Sequence, residues 1–188
     1  MQDTKNTILD VAEDFIRRNG LNAVSYKHIS DVVGIKKASI HYHFPQKKDL
    51  VNALLLRCEQ TYGCEYQSIA SSALSAPEKL RKIADVFKQG TVAGKVCLMG
   101  VLSSDLTSLD ESSRLILEKT AESTVATYAA IFEQGRIEGS MHFDGSDYNA
   151  AYAFFSMLIG AQIMARVKGG AEALQAASDA VIDGYLKN

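Results

Sequence analysis

At 188 residues, with 47% apolar side chains, the chain is long enough for one small module plus a larger helical domain and too apolar to stay disordered. Three cysteines without paired spacing exclude a disulfide framework and point to reduced thiols in a cytoplasmic protein. The polar start MQDTKNTILD lacks the apolar stretch that secretion needs. The net charge of −2 conceals an asymmetry: residues 25–48 hold five lysines against one aspartate, Asp31, while residues 51–188 are acidic overall.

The first predicted helix runs from about Thr4 to Asn19. Ile8, Val11, Ala12, Phe15 and Ile16 recur at i, i+3, i+4, i+7 and i+8 as an amphipathic stripe, and Asn19-Gly20 ends it with a left-handed cap. Ser25 suits the N-cap of a second helix, because its hydroxyl accepts from an otherwise unpaired amide. Ile29, Val32 and Val33 then fall on one face. Gly34 reverses the chain, since only glycine takes positive φ there without steric cost. A third helix, Lys36 to Phe44, turns Ile40 and Phe44 inward and shows Lys36, Lys37, Ser39, His41 and Tyr42. Pro45 removes an amide donor and ends it.

A short helix of hydrogen-bonding side chains, propped by another across a glycine turn, fits the DNA major groove. The run Ile35-Lys36-Lys37-Ala38-Ser39-Ile40-His41-Tyr42-His43-Phe44, followed by Gln46-Lys47-Lys48-Asp49-Leu50, resembles the helix-turn-helix signature of the TetR family of transcriptional regulators. That pattern typically reads V-S-K-G-x-L-Y-x-H/Y-F and then S-K-E-x-L. This chain departs from it at Ala38, usually glycine, and at His41, usually tyrosine. The local lysine excess is what orienting one face toward phosphate requires. The resemblance implies that Ser25, Tyr42, His43 and Lys47 hold the phosphate backbone. Lys36, Lys37, Ser39 and His41 are placed to reach base edges or adjacent phosphates. Lys47 also begins the next helix, whose first amides favour an anion.

Lys47 to about Ser72 reads as one long fourth helix with Leu50, Leu54, Leu55, Cys58 and Tyr62 inward. Pro77 starts another, Glu78 to about Gln89, with Leu80, Ile83, Ala84 and Phe87 inward. A Gly90–Gly94 linker and the short apolar run VCLMGVLSSDL follow. A long helix then covers roughly Glu111 to Ile137, before the turn region GSMHFDGSD. Tyr148 to Val167 is apolar nearly all round, which predicts burial on several sides. Ser156, Gln162 and Arg166 within it argue for a buried helix and against a membrane span. Ala171 to Leu186 places Ala173, Ala176, Ala177 and Ala180 where helices approach closely. These last two helices suit a symmetric four-helix contact between two copies, and two-fold operators need such a dimer.

The expected fold is all-α. A helix-turn-helix DNA-binding domain occupies 1–46, and a helical regulatory and dimerisation domain occupies 47–188. No catalytic constellation is present: the chain lacks a glycine-rich phosphate loop, a G-x-S-x-G elbow and H-E-x-x-H or C-x-x-C pairs. His28, His41 and His43 lack the cysteine or carboxylate cluster that would complete a metal shell. Neither cofactor, metal nor enzymatic activity is expected.

The resemblance implies a homodimeric repressor of double-stranded operator DNA, released by a small-molecule inducer. Tyr62, Tyr66, Phe87, Met99, Tyr128, Phe132, Phe155 and Met157 are the candidate lining of an apolar ligand cavity. The segment around Cys97 also resembles a subgroup in which a cysteine answers electrophiles or oxidants. Lys95 is two residues away, and Arg166 stands where that subgroup can supply a basic residue; a nearby cation favours the thiolate.

Overall fold

The computed structural model describes residues 4–186, and among these it is helical with no strand. By contact the chain forms two compact units, Met1–Gln60 with Leu98–Thr120 and Thr61–Cys97 with Ala121–Asn188.

In the first unit α1 (Thr4–Asn19) buries Ile8, Leu9, Ala12 and Ile16, with Val11 and Phe15 at the edge of the stripe. The left-handed helical cap expected at Gly20 does not form. Gly20 has φ 89° and ψ 160°, an extended conformation open to glycine, and a single 3₁₀ turn, Leu21–Ala23, follows. Helix α2 (Tyr26–Val33) begins at Ser25, whose Oγ accepts from the His28 amide at 3.3 Å. It ends at Gly34, φ 74°, whose N–H donates to Ser30 O at 3.0 Å. Val32 departs from the expected inward face and is 59% exposed. A two-turn helix offers only a narrow arc to its neighbours, and Ile29 with Ser30 fills it.

Helix α3 (Lys37–His43) takes Lys36 as N-cap and Phe44 as C-cap, and buries Ile40 and Phe44 almost completely. Helix α4 (Lys47–Cys58) buries Leu50, Val51, Leu54, Leu55 and Cys58. It is tied to α1 by Arg57, which donates to Asp10 and Glu13 at 2.6 Å each.

The single helix expected from Lys47 to Ser72 is interrupted. Glu59–Gly63 winds as a π-helix before α5 (Cys64–Ala70) resumes. Each π turn carries an extra residue, so the stripe begun at Leu50 loses register and Tyr62 is only half-buried. The first unit is completed by α7 (Leu98–Ser104), a 3₁₀ turn at Leu106–Ser108 and the first residues of α8 (Glu111–Glu138).

The second unit packs α6 (Ala76–Val92), the rest of α8, α9 (Asp147–Val167) and α10 (Gly170–Tyr185). Ser75 caps α6 reciprocally with Glu78, which accepts from the Ser75 amide at 2.9 Å. Leu80, Ile83, Ala84 and Phe87 are buried as expected, but α6 runs on through Gly90 to Val92, past the point where a linker was expected to begin. Arg81 joins α6 to α10 through Asp179 and Asp183.

The expectation that α9 is covered on several sides is corrected. Phe154, Phe155, Leu158 and Gln162 are buried, while Tyr152, Ile163, Met164 and Val167 are exposed. Within one chain α6, α10 and the Tyr128 and Phe132 rings of α8 cover the side of α9 that carries Phe154 and Phe155, and the side with Tyr152, Ile163, Met164 and Val167 stays uncovered. Helix α9 remains the one helix among the described residues long and apolar enough to cross a membrane.

At Gly34 an added Cβ would meet nothing within 4 Å, so the cost of a side chain there is purely conformational. Gly34→Ala is expected to destabilise the first unit by about 1–2 kcal/mol, read as a shift in the chemical denaturation midpoint.

Candidate nucleic-acid interface

The outward face of α3 is defined by what lies beneath it. Ile40 and Phe44 are sealed in the core, and the opposite side of the helix presents Ala38 and Tyr42 to solvent, while Lys37 and His41, at the margins of the buried side, are exposed as well. Lys36 precedes the helix with extended backbone and is also exposed. Ser39 is half-buried. Tyr42 is the most exposed large side chain here, at 83%, and meets the His43 ring edge-on at 5.2 Å. The His41 ring has its Nδ1 3.3 Å from Pro45 O and lies edge-on to Tyr26 at 4.8 Å. Tyr26 in turn donates to Phe44 O at 2.8 Å. Burial first, and the Asp49 carboxylate second, push its phenol up to about 12, so it stays a neutral donor.

Thr4, Ile35, Ala38, Ser39, Tyr42 and His43 line a shallow open groove beside α3. Thr4 and Tyr26 were not legible as part of this surface, because they come from α1 and α2 and only the packing brings them to α3. Lys5 reaches over the Phe44 ring at 5.9 Å. Ser25 is exposed at the start of α2.

Lys47 behaves differently from the other candidates. Its Nζ donates to Leu21 O at 2.8 Å. Burial lowers its pKa, and Asp105 opposes that shift. The opening of α4 is also engaged, since the Gln46 amide donates to Asp49 Oδ2 at 2.8 Å.

In the second unit the predicted cavity residues separate into groups. Tyr66, Phe87, Tyr128 and Phe155 make one aromatic cluster, with ring centroids 5.3–6.5 Å apart. Tyr62 stacks obliquely on Tyr66 at 6.4 Å, and Met157 is half-buried on α9. Phe132 packs with Phe143, Phe154 and Tyr185, whereas Met99 belongs to the first compact unit. Burial is the main cause that drives the Tyr128 phenol well above its usual pKa, with Tyr66 next and Cys97 also contributing.

Cys97 is half-buried, and its amide donates to Gln162 Oε1 at 2.8 Å. The Gln162 amide nitrogen donates to Phe87 O at 2.8 Å. Gln162 is therefore a structural crosspiece that the sequence did not single out in that role. Arg166 is exposed in the last turn of α9. Among the described residues no three His, Cys, Asp or Glu side chains gather as a metal site would require.

Residues 8–54 match the model for bacterial regulatory proteins of the tetR family. A TetR transcriptional regulator from Legionella pneumophila is 30% identical, with 98% of each chain covered and a TM-score of 0.87. A TetR-family regulator from Agrobacterium tumefaciens is 28% identical over 99% of each chain, with a TM-score of 0.93. The HTH-type transcriptional repressor NemR of Escherichia coli is 23% identical over 182 residues, spanning 92% of this chain and 89% of NemR. The resemblance first carried by residues 35–50 thus extends along the whole chain, which belongs to the TetR family of transcriptional regulators.

Proposed function

We propose that the protein is a homodimeric, cytoplasmic repressor that binds a pseudo-palindromic operator and is released by a small-molecule inducer, with no enzymatic step of its own. The observation that carries this reading is the composition of the exposed face of α3. Lys36, Lys37, His41 and Tyr42 project outward, with Ser39 and His43 at the groove edge, and Ile40 and Phe44 anchor the helix from below. Lysine donates to guanine O6 and N7, hydroxyls serve several base edges, and Ser25 and Tyr42 offer donors to phosphate. The designation of NemR as a repressor supports repression over activation.

Dimerisation is supported by the uncovered side of α9, where Tyr152, Ile163, Met164 and Val167 form an apolar stripe on a helix whose other side is packed. Ala176 and Ala180 are exposed on α10 and let a second helix approach closely. The Tyr66–Phe87–Tyr128–Phe155 cluster, with Tyr62 and Met157 at its margin, is the proposed seat of an apolar inducer. Release requires only that the inducer bind one dimer geometry better than another, by a few kcal/mol.

A second reading of the trigger rests on Cys97. It is half-buried instead of sealed in the core, and its amide is fixed by Gln162. In this reading an electrophile alkylates the thiol and takes the place of a reversible ligand.

Three outcomes test these statements. Lys37→Ala is expected to weaken operator binding and reduce the slope of log affinity against log salt by about one, measured by fluorescence anisotropy; an unaltered slope removes Lys37 from the contact surface. Met164→Glu is expected to halve the mass seen by sedimentation equilibrium and to lower operator affinity with it. Cys97→Ser is expected to bind the operator normally yet resist release by N-ethylmaleimide; release equal to wild type eliminates the covalent trigger.

A further inference from the structure

The peptide group of Leu21 is gripped from both ends. Its carbonyl accepts from Lys47 Nζ at 2.8 Å, and its amide donates to Asp105 Oδ2 at 2.8 Å. The other carboxylate oxygen of Asp105 accepts from Asn22 Nδ2 at 3.1 Å. The Leu21 side chain is 2% exposed, and three residues later the chain reaches buried Val24 and then Ser25, the N-cap of α2. Gly20, just before, places the site where a Cβ would stand 3.5 Å from Asp105 Oδ2, at a φ of +89° that side chains rarely adopt.

Asp105 is itself held in place. It begins the 3₁₀ turn between α7 and α8, and the segment after it is fastened to α4. Ser113 Oγ donates to Asn52 Oδ1 at 2.6 Å, Asn52 Nδ2 donates to Ser112 Oγ at 3.0 Å, and Lys48 lies 3.8 Å from Asp110. Hydrogen bonds from the amide and hydroxyl of Ser113 keep the Asp110 carboxyl below its usual range.

We propose that Lys47 and Asp105 form a clamp on the Leu21 peptide that positions the entry to α2 for DNA reading, and that Lys47 acts in binding through this clamp. The inference rests on the regulator reading above and changes the role of Lys47 within it, from phosphate contact to positioning residue. Lys47 is exposed and its ammonium keeps two N–H donors beside the one given to Leu21 O, so what the pair fixes is the position of that ammonium and of the peptide it holds. The Gln46 amide that begins α4 already has Asp49 as its acceptor.

The two roles predict opposite signs. Removing a carboxylate near DNA strengthens phosphate attraction, so if Lys47 were a phosphate contact restrained by Asp105, Asp105→Ala would tighten binding. If the pair is a clamp, Asp105→Ala loosens the loop and weakens binding against the direction of the charge change.

The test uses the full-length dimer and the duplex that wild-type protein selects from a random pool, with anisotropy titrations over a range of salt. Lys47→Met and Asp105→Ala are each expected to weaken binding about tenfold, the scale of losing a hydrogen bond to a charged group. The salt slope should stay at the wild-type value. The double variant should lose little more than the weaker single, because both act on one peptide. Asp105→Asn, which keeps an acceptor for the Leu21 amide, should recover part of the loss.

A slope lower by about one in Lys47→Met, or tighter binding by Asp105→Ala, overturns the clamp. Hydrogen exchange at the Leu21 amide in DNA-free protein gives an independent readout, expected to quicken in Asp105→Ala in a protein whose other core amides stay protected. Exchange equal to wild type overturns the clamp even if wild-type protein selects no sequence, a result that would by itself remove the regulator reading.

Discussion

A helix of seven residues has no stability of its own, because nucleation costs more than so few hydrogen bonds return. Helix α3 therefore exists only because Ile40 and Phe44 are buried, and that burial also decides its chemistry. Once those two positions face inward, the 3.6-residue period sends Ala38 and Tyr42 to the far side and leaves Lys37 and His41 exposed at the margins, and the residues that hold the helix need not be those that read DNA. Ile29 on α2 and the Ile8–Ala12–Ile16 stripe on α1 complete the small core. Gly34 closes the turn between the two short helices by adopting the left-handed conformation that they jointly impose.

The polar contacts around this core act differently from its apolar ones. Burial of aliphatic surface is non-directional and fixes that the helices touch. Hydrogen bonds with ionised partners have defined lengths and angles and fix how they touch. Arg57 between Asp10 and Glu13 sets α4 against α1, and Lys47 with Asp105 sets the Leu21 loop. Exposed ion pairs contribute little to stability, so the value of these contacts lies in register. The same distinction applies in the second unit, where the aromatic cluster supplies burial and Gln162, bonded to Cys97 N and Phe87 O, supplies alignment.

Much of this was legible in the sequence, for reasons that also mark where legibility ends. The caps at Ser25 and Gly34, the limits of α1, and the inward set Leu80, Ile83, Ala84 and Phe87 follow from local rules: hydroxyl capping, positive φ, helical period. Val32 escaped those rules because a periodic apolar pattern shows that a face exists, and neighbouring helices decide how wide it is. The π-helix at Glu59–Gly63 escaped them because a single extra residue per turn leaves no compositional mark. The association of residues 98–120 with the N-terminal helices depends on Asp105, Ser112 and Ser113, ordinary polar residues whose partners lie 60 to 84 positions away. Lys47 illustrates the same limit at a single residue. Its type and position in the motif suit phosphate, while its ammonium is bonded to a carbonyl that no motif encodes.

The two faces left open by the fold impose one joint requirement. A regulator that reads two half-sites needs them about one helical turn apart, near 34–36 Å, on the same side of the duplex, so an error in either reading head costs the contacts of both. Rigid seating of each α2–α3 pair and the proposed contact between copies along α9 therefore answer to one constraint. A flexible loop at Leu21 would weaken binding even with every contact side chain intact. An apolar stripe on α9 tolerates sliding more readily than a set of directed hydrogen bonds, because dispersion and hydrophobic burial change gradually with position. In the proposed dimer that asymmetry places adjustment at the contact between copies and constancy at the reading head. An inducer that shifts the balance between two dimer geometries then has to do work only at the softer of the two contacts, and linkage requires that bound operator oppose the inducer by the same factor.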